Sequence, residues 1–293
     1  MLHLCCIGHI TRDKVVHNLN ERYLAGGTSY YFSYALSRMH IAYQLITAVG
    51  ESELPVVNEL RAKGIPVEVL PSKHSVYFEN IYAANQDHRT QRVLRKADPF
   101  LVEQLQDVNA RTFHLGPLLA DDMPIAVIKY LAGKGKVSLD VQGYLREVRD
   151  FEVHAIDWPE KQEALQYVSI LKANEAELEV LTGSKNIEQG ARMLAMWGVK
   201  EVVVTLGSMG SVILSDGHFY TIPAYPPVAV TDATGCGDTY MAGYLYQRSK
   251  EADIKQAGEF AAAMASLKIA TSGTSGPFTG TEQDVLKFMR LSL

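Results

Sequence analysis

The chain has 293 residues, 47% of them hydrophobic and 21% charged, and a formal charge of −5. That composition excludes a disordered chain, and the length buries an ample core without disulfides or metals as staples. The negative charge argues against sequence-independent nucleic-acid binding, which needs a basic surface.

The N-terminus reads MLHLCCIGHITRDK. It lacks the basic flank and small-residue cleavage site of a signal peptide. No apolar run approaches the ~18 residues that span a bilayer. Of the three cysteines, Cys5 and Cys6 are adjacent and read as core packing on one strand. The nine histidines show no metal-ligand spacing. A cytoplasmic protein without nucleic-acid or membrane partners is expected.

Leu2 to Ile7, ending at Gly8, predicts a buried first strand. Asp13 to Leu24 predicts a hairpin around Asn18-Leu19-Asn20, broken by Gly26-Gly27. Ser29 to Met39 predicts a helix with Phe32, Ala35, Leu36 and Met39 on one face. Ile41 to Val49 reads as strand and Val56 to Ala62 as helix. Residues 75–97, between Pro71 and Pro99, predict a second hairpin around Asn85–His88, with Tyr77, Phe78 and Tyr82 in its small core. The two hairpins, about 13–25 and 73–97, are expected to form a small β-sheet lid on one domain spanning residues 1–293.

From residue 111 the alternation is regular. Strands are expected at Thr112–Leu115, Lys136–Val141, Ser169–Lys172, Glu201–Leu206, Ser211–Leu214 and Phe219–Ile222. Helices are expected at Met123–Ala132, Asn174–Leu181, Ile187–Trp197, Asp238–Arg248, Ile254–Ala270 and Glu282–Leu291. Strands separated by helices imply an α/β fold, a parallel-rich sheet covered on both faces. Ligands then sit beyond the carboxyl ends of the strands.

The sharpest local signal is TDATGCGDTYMAGYLY, residues 231–246. A bend of Gly235, Cys236 and Gly237 runs into a helix, where unpaired N–H groups and the helix dipole favour an anion. Asp238 then reads as a helix cap or as a general base. Asn174-x-x-Glu177 spells a capping box as readily as a functional pair.

Residues 232–238 resemble the D-T-x-G-A-G-D signature of the ribokinase-like (PfkB) carbohydrate kinases, with Ala233 and Cys236 replacing Thr and Ala. Gly8 with Asp13, Gly26-Gly27, Asn174-x-x-Glu177 and Thr205-x-Gly207-x-x-Gly210 also resemble family elements and occur in family order. The P-loop pattern and the protein-kinase signature set are absent, and the first strand is not followed by the G-x-G-x-x-G of a dehydrogenase.

The resemblance implies ATP-dependent phosphorylation of a hydroxyl of a small sugar or polyol. Asp238 would be the base, and the N–H groups of Gly235, Cys236 and Gly237 the anion hole. Asn174, Thr205, Gly207 and Gly210 would adjoin the nucleotide, with the adenine pocket closed by the helix from Glu259 and the 273–276 loop. Glu177 would organise Mg²⁺ through water, and Asp232 would adjoin a monovalent cation such as potassium. The acceptor would meet Asp13, Gly26, Gly27, Tyr31, Gln142 and Arg146. Tyr31 and Thr28 stand where ribokinases carry Asn and Lys, which weighs against a ribose pocket. GGTSYYFSYAL and the lid segments resemble myo-inositol kinases, so a cyclitol acceptor is the alternative within the family. A catalytically idle nucleotide- or sugar-binding relative is the alternative outside catalysis. Cys236 is expected to be open to thiol reagents, and a homodimer through the lid is expected from its strand edges.

Overall fold

A computed structural model describes residues 1–17, 20–82, 89–270 and 276–291. The predicted turns at Asn18-Leu19 and Asn85–His88, and most of the 273–276 loop, lie outside the described residues. The strands are β1 (Leu2–Gly8), β2 (Thr11–His17), β3 (Asn20–Gly26), β4 (Tyr43–Val49), β5 (Val67–Pro71), β6 (Val76–Tyr82), β7 (Arg89–Arg95) and β8 (Ala110–Gly116). They continue as β9 (Lys136–Asp140), β10 (Arg146–Arg149), β11 (Glu152–Ala155), β12 (Ile170–Asn174), β13 (Glu201–Thr205), β14 (Ser211–Ser215) and β15 (His218–Ile222). The helices are α1 (Thr28–Leu36), α2 (Leu54–Ala62), α3 (Ile125–Ala132), α4 (Lys161–Ala164), α5 (Glu175–Thr182), α6 (Ile187–Met196), α7 (Cys236–Ser249), α8 (Ile254–Ile269) and α9 (Glu282–Leu291).

Nine strands form the main sheet in the order β15-β14-β13-β12-β9-β8-β1-β4-β5. It is parallel from β5 to β13 and antiparallel beyond. Neighbouring side chains on a strand point to opposite faces, and Cys5 and Cys6 show this directly. Cys6 joins the core under α1, α2, α7, α8 and α9, and Cys5 the core under α3 to α6. Both thiols are fully buried, as core packing requires.

Several boundaries differ from the sequence reading for local reasons. Pro124, extended, caps α3 and moves its start to Ile125. Helix α7 begins at Cys236 because Gly235 caps it in the left-handed region (φ 75°). Helix α1 is buried on every side rather than one-faced. Strand β5 was not anticipated; it is a five-residue edge strand ending in proline.

The second sheet, where the sequence reading expects the lid, has the order β10-β11-β7-β6-β2-β3. It contains both predicted hairpins and adds β10 and β11, which pair onto β7. Its inner face packs Val76, Phe78 and Val93 against Leu118 and Leu119 of the body. Tyr77 does not belong to that core. It lies on the outer face, with the Arg12 guanidinium over its ring at 5.4 Å. Lys14, Glu79 and Arg92 extend this outer face as a ladder of ion pairs.

The direction of strand order reverses between β1 and β8, the point where α/β sheets open a crevice. Gly8 and Gly116 are register partners there. A side chain on Gly8 would strike the Gly116 carbonyl oxygen at 2.8 Å, and one on Gly116 would strike the Thr28 side chain. Two glycines thus let the start of α1 sit directly over the crevice.

Candidate active site

The glycine bend closes over this crevice. Gly235 is left-handed, and an added Cβ would overlap the Tyr31 ring. Tyr31 is 3% exposed, so it supports the bend from below. The Cys236 N–H donates to the Ala233 carbonyl at 3.1 Å. This corrects the expected anion hole: the Cys236 amide is already used by the turn. The N–H groups of Gly235 and Gly237 make no hydrogen bond among the described residues. The Cys236 thiol points to the Ala265 carbonyl, and burial pushes its pKa to about 11. Less thiolate near neutral pH means slower attack on thiol reagents.

Asp238 stands in the first turn of α7, and Thr28 at the start of α1 favours its ionised form. Burial raises its pKa to about 6, helped by the Asp140 charge and opposed by Lys172 and Thr28. An acid in this range ionises just below neutrality, as a general base should.

Lys172 is the hub of the site. Its ammonium lies 3.1 Å from Asp140 and 3.6 Å from Glu177, and its tip would be 3.5 Å from a Cβ on Gly237. Burial works against the charge, but Asp140, Glu177 and Asp238 outweigh it and hold the ammonium protonated. Asp140 ends β9 and Lys172 lies on β12, where they are register partners. Asn174 and Glu177 form the capping box of α5, Asn174 N–H to Glu177 at 2.7 Å and the reverse bond at 2.9 Å. Glu177 also carries a raised pKa, first from burial, with Lys172 opposing.

On the acceptor side, Asp13 on β2 takes a bond from Thr11 Oγ1 at 2.7 Å, and Gly26 lies against its carboxylate. Gly27 (φ 90°) turns the chain into α1, where a side chain would strike the His9 carbonyl. The Tyr31 hydroxyl feels Asp13, Asp232 and Asp238 together; its pKa is raised, mainly by burial. Gln142 follows Asp140, whose carboxylate accepts its N–H at 3.1 Å. Arg146 begins β10, and its charge stabilises ionised Glu177.

On the donor side, Thr205 ends β13 as register partner of Asn174. Gly207 and Gly210, both with positive φ, shape the following turn, and nothing lies within 4 Å of the Gly207 Cβ position. Asp232 receives the buried Lys268 ammonium, 3.0 Å from its carbonyl oxygen and 3.9 Å from its carboxylate. The same ammonium lies 5.5 Å above the Tyr31 ring.

Thr28, Asp140, Lys172 and Lys268 were not anticipated as site residues. A lysine inside the apolar strand Ser169-Ile170-Leu171-Lys172-Ala173 was a usable signal, because a fully buried lysine needs a carboxylate partner. Lys268 in the apolar run of α8 gave the same signal.

A lid over the switch point of a doubly wound sheet, with a glycine bend and a carboxylate beneath it, defines an α/β enzyme of the ribokinase fold. The pfkB family carbohydrate kinase model matches residues 1–280, and the chain belongs to this family of phosphotransferases. A cytidine kinase of Thermococcus kodakarensis is 26% identical over 272 residues, covering 85% of this chain and 90% of the relative. A pyrophosphate-dependent kinase of the ribokinase family, solved with a pyrophosphate analogue and myo-inositol, is 26% identical with a TM-score of 0.85, covering 97% of this chain and 99% of the other. A third structure, 25% identical with a TM-score of 0.84 over 98% of both chains, is of a pyrophosphate-dependent myo-inositol-1 kinase. Leucine replacements of an asparagine and a serine eleven positions apart convert it into a myo-inositol-3 kinase.

Proposed function

We propose that this kinase transfers the terminal phosphoryl group of ATP to a hydroxyl of a small sugar or polyol, with Asp238 as general base. The observation that carries this reading is the Asp238 carboxylate, set in the first turn of α7 directly after the Gly235 cap, where burial and the Asp140 charge push its pKa up to about 6. Asp238 takes the acceptor hydroxyl proton as the new oxygen–phosphorus bond forms. The bridging phosphorus–oxygen bond of the donor breaks, and ADP leaves. The N–H groups of Gly235 and Gly237 and the Lys172 ammonium steady the charge on the moving group. Asn174, Thr205, Gly207 and Gly210 line the nucleotide side. Asp13, Gly26, Gly27, Tyr31, Gln142 and Arg146 bound the acceptor side.

Among the described residues the three carboxylates of Asp140, Glu177 and Asp238 share the Lys172 ammonium, with the Arg146 charge acting on Glu177. Triphosphate cannot approach such a site without added positive charge. Oxygen donors in excess fit Mg²⁺, which keeps most of its waters. Among the described residues no group of three His, Cys, Asp or Glu converges closely enough to hold a metal directly. Glu177 and Asp140 would therefore hold Mg²⁺ through water, where it would neutralise phosphate charge. Beside Asp232 lies the chain's own Lys268 ammonium, 3.9 Å from the carboxylate, and in this reading its tethered charge would serve in place of potassium.

A second reading of donor and acceptor has specific support. Two structures that overlay nearly the whole chain are pyrophosphate-dependent myo-inositol kinases. Asn80 and Gln91 here are also eleven positions apart and hydrogen-bonded across the lid. Pyrophosphate as donor and a cyclitol as acceptor follow from that likeness. A homodimer would use β3 and β10, the edges of the lid sheet.

The test is product formation from purified protein, magnesium and either ATP or pyrophosphate, across sugars, cyclitols and nucleosides. Phosphorylated acceptor with ADP or orthophosphate is the expected result. Ligand binding with no turnover on any acceptor would instead establish the idle relative.

A further inference from the structure

A histidine and an aspartate buried beneath the second sheet play no part in the phosphoryl chemistry above. His9, between β1 and β2, is fully buried, and Asp122, in the loop after β8, is 4% exposed. The His9 ring stacks on Phe100 with centroids 4.5 Å apart, and its Nδ1 meets the Ala48 carbonyl at 3.2 Å. A carbonyl only accepts, so Nδ1 carries a hydrogen. Nε2 is buried with no hydrogen-bond partner among the described residues and lies 3.7 Å from Asp122 Oδ1. Without a further proton, a nitrogen lone pair would face a buried carboxylate, and nothing would offset the cost of either. One proton held by the two groups removes the conflict. It makes either an imidazolium beside a carboxylate or a carboxylic acid beside a neutral ring. Burial raises the Asp122 pKa, opposed by His9 and by the N–H groups of Leu118 and Leu119, which agrees with a proton kept at this place.

Each partner organises a different side of the crevice. Asp122 Oδ2 accepts the N–H groups of Leu118 and Leu119 at 2.7 and 3.0 Å, and the Asp122 carbonyl accepts the Phe100 N–H at 2.9 Å. These bonds set Leu118 and Leu119 against Val76, Phe78 and Val93, the contact on which the second sheet rests. In the same loop the Ala120 N–H donates to the Arg146 carbonyl at 3.0 Å. The His9 carbonyl accepts the Ser29 hydroxyl at 2.6 Å and lies 2.6 Å from the point where a Gly27 side chain would begin. Leu118 lies 3.4 Å from that point. The pair thus bridges the turn into α1 and the seat of the second sheet.

We infer that His9 and Asp122 are positioning residues for acceptor binding, one proton between them keeping the Gly27 turn and the Leu118–Leu119 seat in register. This assignment rests on the kinase reading above, in which Asp13 and Gly27 bound the acceptor. Loss of the proton would set the bare carboxylate against the ring nitrogen and loosen the seat. The other ionisable groups whose charges reach Asp122 are Asp121 and Tyr144, and both stay in place in the variants below.

The test compares the wild-type chain with Asp122→Asn and Asp122→Ala, from neutral to alkaline pH, with thermal melting of each. Asparagine can accept from Leu118 and Leu119 and donate to Nε2 without any shared proton. The acceptor is the best substrate among myo-inositol, ribose, fructose and cytidine, with ATP and with pyrophosphate. The expected wild-type result is an acceptor KM that rises on the alkaline side. In Asp122→Asn it should stay low and flat over the same range. Asp122→Ala should raise the acceptor KM roughly tenfold or more throughout, with smaller effects on the donor KM and on kcat. If Asp122→Ala fails to fold, the comparison of wild type with Asp122→Asn decides alone. The same pH dependence of acceptor KM in those two, sloping or flat, would overturn this assignment while leaving transfer itself intact. Absence of transfer by the wild-type chain to every acceptor, with either donor, would overturn the kinase reading and this assignment with it.

Discussion

The Lys172 ammonium lies 3.1 Å from the Asp140 carboxylate, and both side chains are buried at adjoining strands of the sheet. Removing one partner of such a pair leaves the other charge without compensation. Lys172→Met should therefore lower stability by about 3–5 kcal/mol. It should also cut turnover on the order of 10²–10³-fold. Chemical denaturation and steady-state kinetics check the two effects, and Lys172→Arg should recover stability better than turnover.

With Asp238 as the proposed base, its ionisation should set the acid limb of the pH profile. The base works only when ionised, so kcat should fall as pH drops through about 6 and level off above it. Lys172 holds that pKa down, so the limb should move to higher pH in Lys172→Met. A profile flat to well below this pH would contradict the role given to Asp238.

Asp238→Asn should fold and lose turnover by about 10²–10⁴-fold. The folded-state pKa is raised, so this acid binds its proton more tightly when folded and opposes stability as pH rises through about 4 to 6. Above that window the Asn variant, free of the buried charge, should be more stable by up to about 3 kcal/mol. Melting curves at acidic and neutral pH test the sign.

Lys268 lies 3.0 Å from the Asp232 carbonyl and 3.9 Å from its carboxylate, and the proposed role for this tethered charge is that of a monovalent cation. Wild-type turnover should then be indifferent to exchanging potassium for a bulky organic cation. Lys268→Met should lose turnover, and potassium or ammonium should restore part of it. Strong potassium activation of the wild-type chain would count against this role.

The Cys236 thiol, with a pKa of about 11, should alkylate slowly near neutral pH. The rate should be on the order of 10²-fold below that of an ordinary exposed thiol, since the thiolate is the nucleophile. Mass spectrometry after iodoacetamide treatment reads this directly.

Much of the architecture was legible because strand and helix patterns differ in period. The apolar Leu2–Ile7 run and the Val-rich Glu201–Leu206 run both became strands of the main sheet. Strands β10 and β11 were missed because Arg146-Glu147-Val148-Arg149 and Glu152-Val153-His154-Ala155 are short, half-exposed and polar. Glycine spacing marked the Gly235–Gly237 bend. It did not reveal that the Cys236 amide turns inward to Ala233, because that depends on the dihedrals of one residue. Lys172 and Thr28 lie far from Asp238 in sequence, and only the parallel stacking of β12 and β9 beneath α1 and α7 brings them together.

The path of the chain through β10 has a mechanical consequence. Arg146 opens this lid strand three residues after Gly143, which abuts Pro117 and Leu118 so closely that no side chain fits there. One short stretch is thus pinned to the body at one end and hydrogen-bonded into the canopy at the other. Tilting the canopy would shift the Arg146 charge that acts on Glu177, so under the kinase reading sheltering the acceptor and tuning the charge at the phosphate end would share a single lever.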